Sequence, residues 1–264
     1  MSEQTAPVSC YIRSLNEALI IGRTVAAVRD LVDEVVIVDS GSTDATVAVA
    51  EAAGARVIHQ DWFGYGCQKR FAEDQCRNDF LLDLDADEIV SPALAEEIRA
   101  LFATGPPPRS IYELKLVTVP PVGKPWTNSA VRHRRKLYDR RVVRAPDHKA
   151  WDQFDIPAGI QVGRLAGELH HHSFRDLAHL VEKLNKASSN SARDGRQLGS
   201  VAVVCRVLFA LPFYFLRHLL LRGLFRVGIY GIAVAGISAY GRWLRDAKMC
   251  ERILADRERL RSRD

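Results

Sequence analysis

Short apolar runs separated by polar turns dominate the first hundred residues. Val8 to Arg13, Glu34 to Val38, Arg56 to His59 and Phe80 to Leu84 have strand length, and the second is strongly β-branched, so four buried strands are predicted. Helical stretches fall between them. Asn16 is a cap residue with Glu17 in the first turn of a helix to about Arg29. Ser42 or Thr43 caps a second helix through Ala53, which Gly54 stops. Gly66 to Arg77 can be helical, and Ser91-Pro92 opens a helix to about Phe102. Strands alternating with helices predict a mostly parallel sheet in an α/β layer fold.

After the break at Gly105-Pro106-Pro107-Pro108, Ile111 to Val119 and Lys136 to Val143 read as strands, and Phe174 to about Asn190 as a helix. From Ser200 to Trp243 the pattern changes to an apolar tract interrupted by Arg206, Arg217, Arg222 and Arg226. Its longest charge-free stretch, Val227 to Gly241, has 15 residues, short of the roughly 20 that a membrane span needs. The tract therefore predicts amphipathic or re-entrant helices in a bilayer interface, arginines at headgroup level. A buried helical hairpin is the alternative. The expected division is an α/β domain over residues 1–195 and membrane-associating helices over 196–264.

Charge sharpens this division. Through residue 125 there are 11 Lys and Arg against 19 Asp and Glu; beyond it, 26 against 13. An acidic first part suits a cation-dependent site, and a basic second part suits phosphate, nucleic acid or a membrane surface. No aromatic stacking motif or recognition module accompanies the basic part, so nucleic acid is not expected as a partner. Five scattered cysteines without a CxxC pair argue against a disulfide framework or zinc site. The short polar stretch from Met1 to Pro7 has no signal-peptide pattern, so a cytoplasmic location is expected.

Three segments carry candidate chemistry. Leu82-Asp83-Leu84-Asp85-Ala86-Asp87-Glu88 follows an apolar strand. On an extended chain Asp85 and Asp87 would share a face at the strand's carboxyl end, where open α/β sheets bind ligands. Two such carboxylates about 4 Å apart repel by roughly 4 kcal/mol at an effective dielectric near 20. A divalent cation reverses that, and oxygen ligands favour Mg²⁺ or Mn²⁺. A solvated acidic turn before a helix would use the same residues. Asp39 ends the second strand within Val38-Asp39-Ser40-Gly41-Ser42-Thr43-Asp44, and Tyr11-Ile12-Arg13-Ser14-Leu15-Asn16-Glu17 closes the first. Each also reads as an ordinary strand-to-helix turn.

Together, in this order and spacing, the three segments resemble glycosyltransferase family 2 over about residues 8–190. More narrowly, Trp62-Phe63-Gly64-Tyr65-Gly66-Cys67-Gln68-Lys69-Arg70 and the basic, apolar C-terminal part resemble bacterial enzymes that add a sugar to the lipopolysaccharide inner core. The resemblance implies a GT-A fold with an apolar helical extension. It also implies inverting transfer of a hexose, glucose above all, from a UDP-sugar with Mg²⁺ or Mn²⁺, by an enzyme peripheral on the inner membrane. The acceptor would be lipid-linked, a lipopolysaccharide core or other envelope glycan; a polyprenyl phosphate, or a non-catalytic nucleotide-binding role, is the alternative.

Carried over to this chain, Arg13, Asn16, Glu17, Asp39, Ser40 and Asp85 would line the donor, and Lys69 and Arg70 would flank its phosphates or sugar. Asp87 would be the main metal ligand, with Asp85 beside it. Asp152 would be the general base, although Trp151-Asp152 stands where the family has His-Glu. Within His170-His171-His172, neighbours on a strand point to opposite faces and cannot converge as a zinc site. His171 alone would then lie near metal or acceptor. Arg135, in the run Arg132-His133-Arg134-Arg135-Lys136, would grip acidic groups of an acceptor.

Overall fold

The computed structural model describes residues 5–194 and 199–261. The chain divides into two compact units, Met1–Val119 with Arg132–His172 and Pro120–Val131 with Ser173–Asp264. The boundary expected at residue 195 lies outside the described residues.

The first unit holds strands β1 (Ala6–Ser14), β2 (Val32–Asp39), β3 (Arg56–His59), β4 (Phe80–Asp85), β5 (Glu88–Val90), β6 (Ile111–Thr118), β7 (Arg132–Asp139) and β8 (Gly163–His171). They form one sheet in the order β3-β2-β1-β4-β7-β6-β8-β5. Strands β3, β2, β1 and β4 run parallel, whereas β7 pairs antiparallel with β4 and β6. Helices α1 (Ile21–Ala26), α2 (Thr46–Ala52), α3 (Tyr65–Asp74) and α4 (Pro92–Phe102) accompany it.

Apolar runs in place of alternation follow from burial on both sheet faces. Val8, Cys10 and Ile12 of β1, Val35 and Ile37 of β2, and Leu82 and Leu84 of β4 join one core with Ile21, Val25, Leu94 and Ile98 from α1 and α4. Tyr11, Val36, Val38 and Leu81 face the opposite core with Ala72 of α3. The parallel strands bring their carboxyl ends, and so Arg13, Asp39 and Asp85, to one edge.

Several element boundaries depart from the sequence expectation. Asn16 does not cap a helix: it takes φ 56°, its N–H donates to Ser42 Oγ at 2.8 Å, and its Oδ1 accepts from Thr43 N at 2.8 Å, so α1 begins only at Ile21. Nor do Ser42 and Thr43 cap α2; Asp44 Oδ1 accepts from Thr46 N at 2.9 Å instead. Strand β7 starts at Arg132 and ends at Asp139, and β5 and β8 are additional strands. Ser91 does cap α4, accepting from Leu94 N at 3.3 Å.

In the second unit α5 (Leu177–Asp194), α6 (Ser200–Leu216) and α7 (Gly228–Arg261) are long helices; α6 passes into a π-turn over Arg217–Leu221. Both α5 and α6 pack on α7. A small core joins Trp126, Phe174, Leu224, Val234 and Ala235. Lys248 of α7 donates to Asn185 Oδ1 at 2.6 Å and Ser188 Oγ at 2.9 Å, which fixes α5 on α7. Ser200–Leu221 and Leu224–Arg259 are each long and apolar enough to cross a membrane.

Candidate functional site

The carboxyl ends of β1 and β4 present a cluster of alternating charge. Arg13 Nη2 donates to Asp85 Oδ1 at 2.6 Å and lies 3.7 Å from Asp152 Oδ2. Lys69, on α3, is buried; its Nζ is 2.6 Å from Asp83 Oδ2 and 3.0 Å from Asp152 Oδ2. Lys136, on β7, is also buried, with Nζ 2.8 Å from Glu88 Oε2, 3.4 Å from Asp85 Oδ2 and 3.9 Å from Asp83 Oδ2. Three cations thus interleave with Asp83, Asp85, Glu88 and Asp152.

This interleaving sets the protonation states. Burial works to raise the Asp85 carboxyl, but Lys136, Arg13 and Lys69 hold it well below the usual range. At Asp152 burial is likewise overcome, by the charge and hydrogen bond of Lys69 and by Gln153. Glu88 goes the other way: burial and then Asp85 push it up to about 7 against the pull of Lys136. Burial disfavours the charged form of Lys136, yet Asp83, Asp85 and Glu88 raise it well above the usual lysine range.

Asp85 is the last residue of β4, and Ala86-Asp87 form a turn. The strand alternation expected to align Asp85 with Asp87 therefore ends before Asp87. The turn instead sets Asp87 Oδ2 3.3 Å from His171 Nε2, where Glu88 pairs with His171 across β5 and β8. Among the described residues no three His, Cys, Asp or Glu side chains gather as a metal-holding group. Even so, a carboxylate oxygen beside an imidazole nitrogen is a donor pair that Mn²⁺ accepts. It leaves most coordination positions to water and phosphate oxygens, as Mg²⁺ and Mn²⁺ sites on nucleotides require. The residues present fit such an ion at Asp87 and His171, while both Asp85 oxygens already face cations.

Asp39, 2% exposed, organises the neighbouring turn. Its Oδ1 accepts from Ser14 Oγ at 3.0 Å and Ser42 Oγ at 2.5 Å, and its Oδ2 from the N–H groups of Gly41 at 3.0 Å and Ser42 at 2.8 Å. Burial would raise this carboxyl, but the donors from Ser42, Ser14 and Gly41 hold it below the usual range. Its folded-state pKa is thus depressed, so its stabilisation is complete above the unfolded value of about 3.9 and fades as pH falls through the lower folded value. Asp39→Asn is expected to cost about 1.5–3 kcal/mol at neutral pH. In urea melts at pH 7 and near pH 3, the gap between variant and wild type should shrink at the acid end; a gap independent of pH would contradict this account.

Ser40 N donates to Ser14 O at 3.0 Å and Ser40 Oγ accepts from Gln68 Nε2 at 3.1 Å, while Glu17 N donates to Thr46 Oγ1 at 2.8 Å. These contacts place Asn16, Glu17, Asp39 and Ser40 along one rim. Arg70 diverges from its neighbour Lys69: its Nε donates to Ala145 O at 2.6 Å and lies 3.8 Å from Glu73 Oε2. Arg135 donates from Nη1 to Phe154 O at 3.0 Å, bracing the segment that carries Asp152. Sequence reasoning missed the central place of Lys136. No contrast within the basic run marks it, although Lys136 is buried while Arg134 is exposed and Arg135 half-buried.

Asp152 reaches Lys69 because residues 146–152 lie directly on the start of α3. Tyr65 N donates to Lys149 O at 2.8 Å and Gly66 N to His148 O at 3.0 Å. A Cβ on Gly66 would sit 2.2 Å from Pro146 O and 2.4 Å from Trp151 O. Gly66→Ala should therefore lift this segment, costing about 1–3 kcal/mol as overpacking does and displacing Asp152. The expected outcome is a lower melting temperature with loss of turnover; wild-type turnover would show that the segment need not lie so close. Trp62, Tyr65 and Trp151 remain exposed on these same segments, the first two in edge-to-face contact at 4.8 Å.

Residues 9–157 match the family model described as glycosyl transferase family 2. A glycosyltransferase of Rickettsia bellii is 32% identical over 269 residues, covering 98% of this chain and 92% of the relative. The lipopolysaccharide core biosynthesis glycosyltransferase LpsC of Rhizobium meliloti is 31% identical over 261 residues, covering 93% of each. Among solved structures, glucosyl-3-phosphoglycerate synthase from Mycobacterium tuberculosis in complex with Mg²⁺ and UDP matches with a TM-score of 0.45 at 17% identity, over 74% of this chain and 82% of that one.

Proposed function

The chain belongs to glycosyl transferase family 2 and is a glycosyltransferase, and from that premise we propose that it transfers a hexose from a UDP-sugar, with inversion, to a lipopolysaccharide-core glycan on a lipid anchor. The observation that carries the reading is the meeting of Asp152 with Lys69 and Arg13 at the carboxyl edge of the sheet. The length-wide relationship to LpsC supports the class of acceptor.

In this reading Asn16, Glu17, Asp39 and Ser40 form the nucleoside rim. Arg13 and Lys69 would meet the donor's phosphates and hold the leaving UDP through charge-assisted hydrogen bonds. Asp152 accepts the proton of the acceptor hydroxyl as its oxygen bonds to the sugar's anomeric carbon. The bond from that carbon to the UDP oxygen breaks on the opposite face, so an α-linked donor yields a β-linked product. Asp87 and His171 would hold Mg²⁺ or Mn²⁺, which when bound neutralises charge on the diphosphate. Exposed Trp62, Tyr65 and Trp151 offer flat apolar faces beside Asp152, suited to a sugar ring. The apolar helices of the second unit would lie in the interface of the cytoplasmic membrane, where a lipid-linked acceptor resides.

The test is a panel of sugar nucleotides with Mn²⁺, read as UDP release in the presence of core oligosaccharide. Selective use of a UDP-hexose, abolished by chelation, is expected; equal indifference to all donors would overturn the reading. The exposed apolar helices equally suit a polyprenyl-phosphate acceptor. Turnover with polyprenyl phosphate but not with core oligosaccharide would select that second reading.

A further inference from the structure

In the second unit, Tyr214 of α6 donates from Oη to Asp246 Oδ2 of α7 at 2.6 Å, and both residues are buried. Arginines converge on this pair. Arg245 Nη2 is 2.6 Å from Asp246 Oδ1, and Arg206 Nη1 is 3.9 Å from the same oxygen. Arg242 places its guanidinium carbon 5.5 Å from the centre of the Tyr214 ring, and its Nε is buried with no hydrogen-bond partner among the described residues. Arg217, from the π-turn after α6, belongs to the same cluster: burial, then Arg245 and Arg217, pull the Arg242 guanidinium below its usual range. Among the described residues the carboxylate within ion-pair distance of this cluster is Asp246. Of the four guanidinium groups only those of Arg245 and Arg206 reach this carboxylate, and the excess positive charge faces its own repulsion unless an anion joins it.

The surroundings say which anion. At about 100° per residue, Phe209, Phe213, Leu216 and Leu220 fall in one stripe of α6 and its π-turn, and all four are exposed, Phe209 by 71%. Arg206 and Arg217 lie on the edge of that stripe nearest Tyr214. An apolar surface bordered by a guanidinium cluster is complementary to a molecule whose phosphate sits directly beside acyl chains. We infer that Arg206, Arg217, Arg242 and Arg245 form a binding site for the phosphate of an anionic phospholipid headgroup. The inference rests on the reading that the second unit lies on a membrane, and adds to it a built site in place of diffuse attraction. Bidentate guanidinium–phosphate pairing supplies the recognition, and Asp246 with Tyr214 holds Arg245 and Arg242 in position.

The test is flotation of the full chain with vesicles of phosphatidylcholine alone or mixed with phosphatidylglycerol. Wild type is compared with Arg217→Gln/Arg242→Gln and with Arg222→Gln/Arg226→Gln, which removes the same charge outside the cluster. Circular dichroism checks that each variant folds. The expected result is preference for phosphatidylglycerol, with binding falling about tenfold further in the cluster variant than in the control. Equal losses in the two variants, or equal binding to both vesicles, would overturn the phosphate site while leaving membrane association standing. Binding to inorganic phosphate without binding to vesicles would overturn the lipid source. Absence of binding to any vesicle would overturn the inference together with the membrane reading.

Discussion

Lys69→Met is expected to lower stability by about 3–5 kcal/mol, as removal of one partner from a buried ion pair does, a fall in melting temperature of roughly 10 °C. The variant strands Asp83, which is 3% exposed. Asp83 is poorly satisfied even in the wild type: Oδ2 faces Lys69 at 2.6 Å, while buried Oδ1 has no hydrogen-bond partner among the described residues. Lys136, 3.9 Å away, is too far to replace the lost bond. The same argument predicts recovery. Lys69→Met with Asp83→Leu removes both charges and leaves an apolar pair of similar volume, which in other buried pairs is neutral or stabilising. Thermal melts should therefore place the double variant within a few degrees of wild type. Its turnover should stay low, because Asp152 has lost the ammonium 3.0 Å from its Oδ2. A single variant melting like the wild type would refute the account of this pair, and a double variant with full turnover would refute the role of Lys69 at the site.

This dissociation of stability from activity explains which parts of the site could be read in the sequence. The strands buried on both faces announce themselves as apolar runs: Arg56–His59 matches its expected span, and β1, β2 and β4 extend theirs by one to three residues. Their carboxyl ends follow at once, and with them Arg13, Asp39 and Asp85. Residues whose role depends on distant pairing were harder. Lys136 sits in a run of five basic residues that offers no hydrophobic contrast, so its inward direction emerges only once β7 is seen paired with β4. Asp87 looked like the next inward position of a strand, but the chain turns after Asp85 so that β5 can pair with β8. Arg70 looked like the companion of Lys69; adjacent helical residues point about 100° apart, and the helix sends only Lys69 to the charge cluster. Local propensity was misleading at Asn16 for a related reason. Its side chain bonds a backbone N–H 27 positions away instead of one in its own first turn.

Asp152→Asn is expected to reduce kcat/KM by about 10²–10⁴, the usual worth of a positioned general base, with little change in melting temperature because Lys69 keeps its bond to Asp83 at 2.6 Å. Asparagine preserves size and can still face Lys69, but it cannot take a proton. The environment of Asp152 makes the pH dependence specific. Burial would raise this carboxyl, and Lys69 first among its partners holds it below the usual aspartate range. The base is therefore ionised at every pH above about 4, and the activity it supports should fall only in more acid solution, as pH drops through the depressed folded value. A low pKa also makes Asp152 an intrinsically weak base, so its contribution comes from placement: Gly66 and Arg135 hold its segment down, and Lys69 and Arg13 fix its Oδ2. Asp155, exposed and three residues on, supplies the control, and Asp155→Asn should retain wild-type turnover. If Asp152→Asn kept more than about a tenth of the wild-type kcat/KM, the proton would have to leave the acceptor by another route, and Asp152 would be reduced to a counter-ion for Lys69 and Arg13.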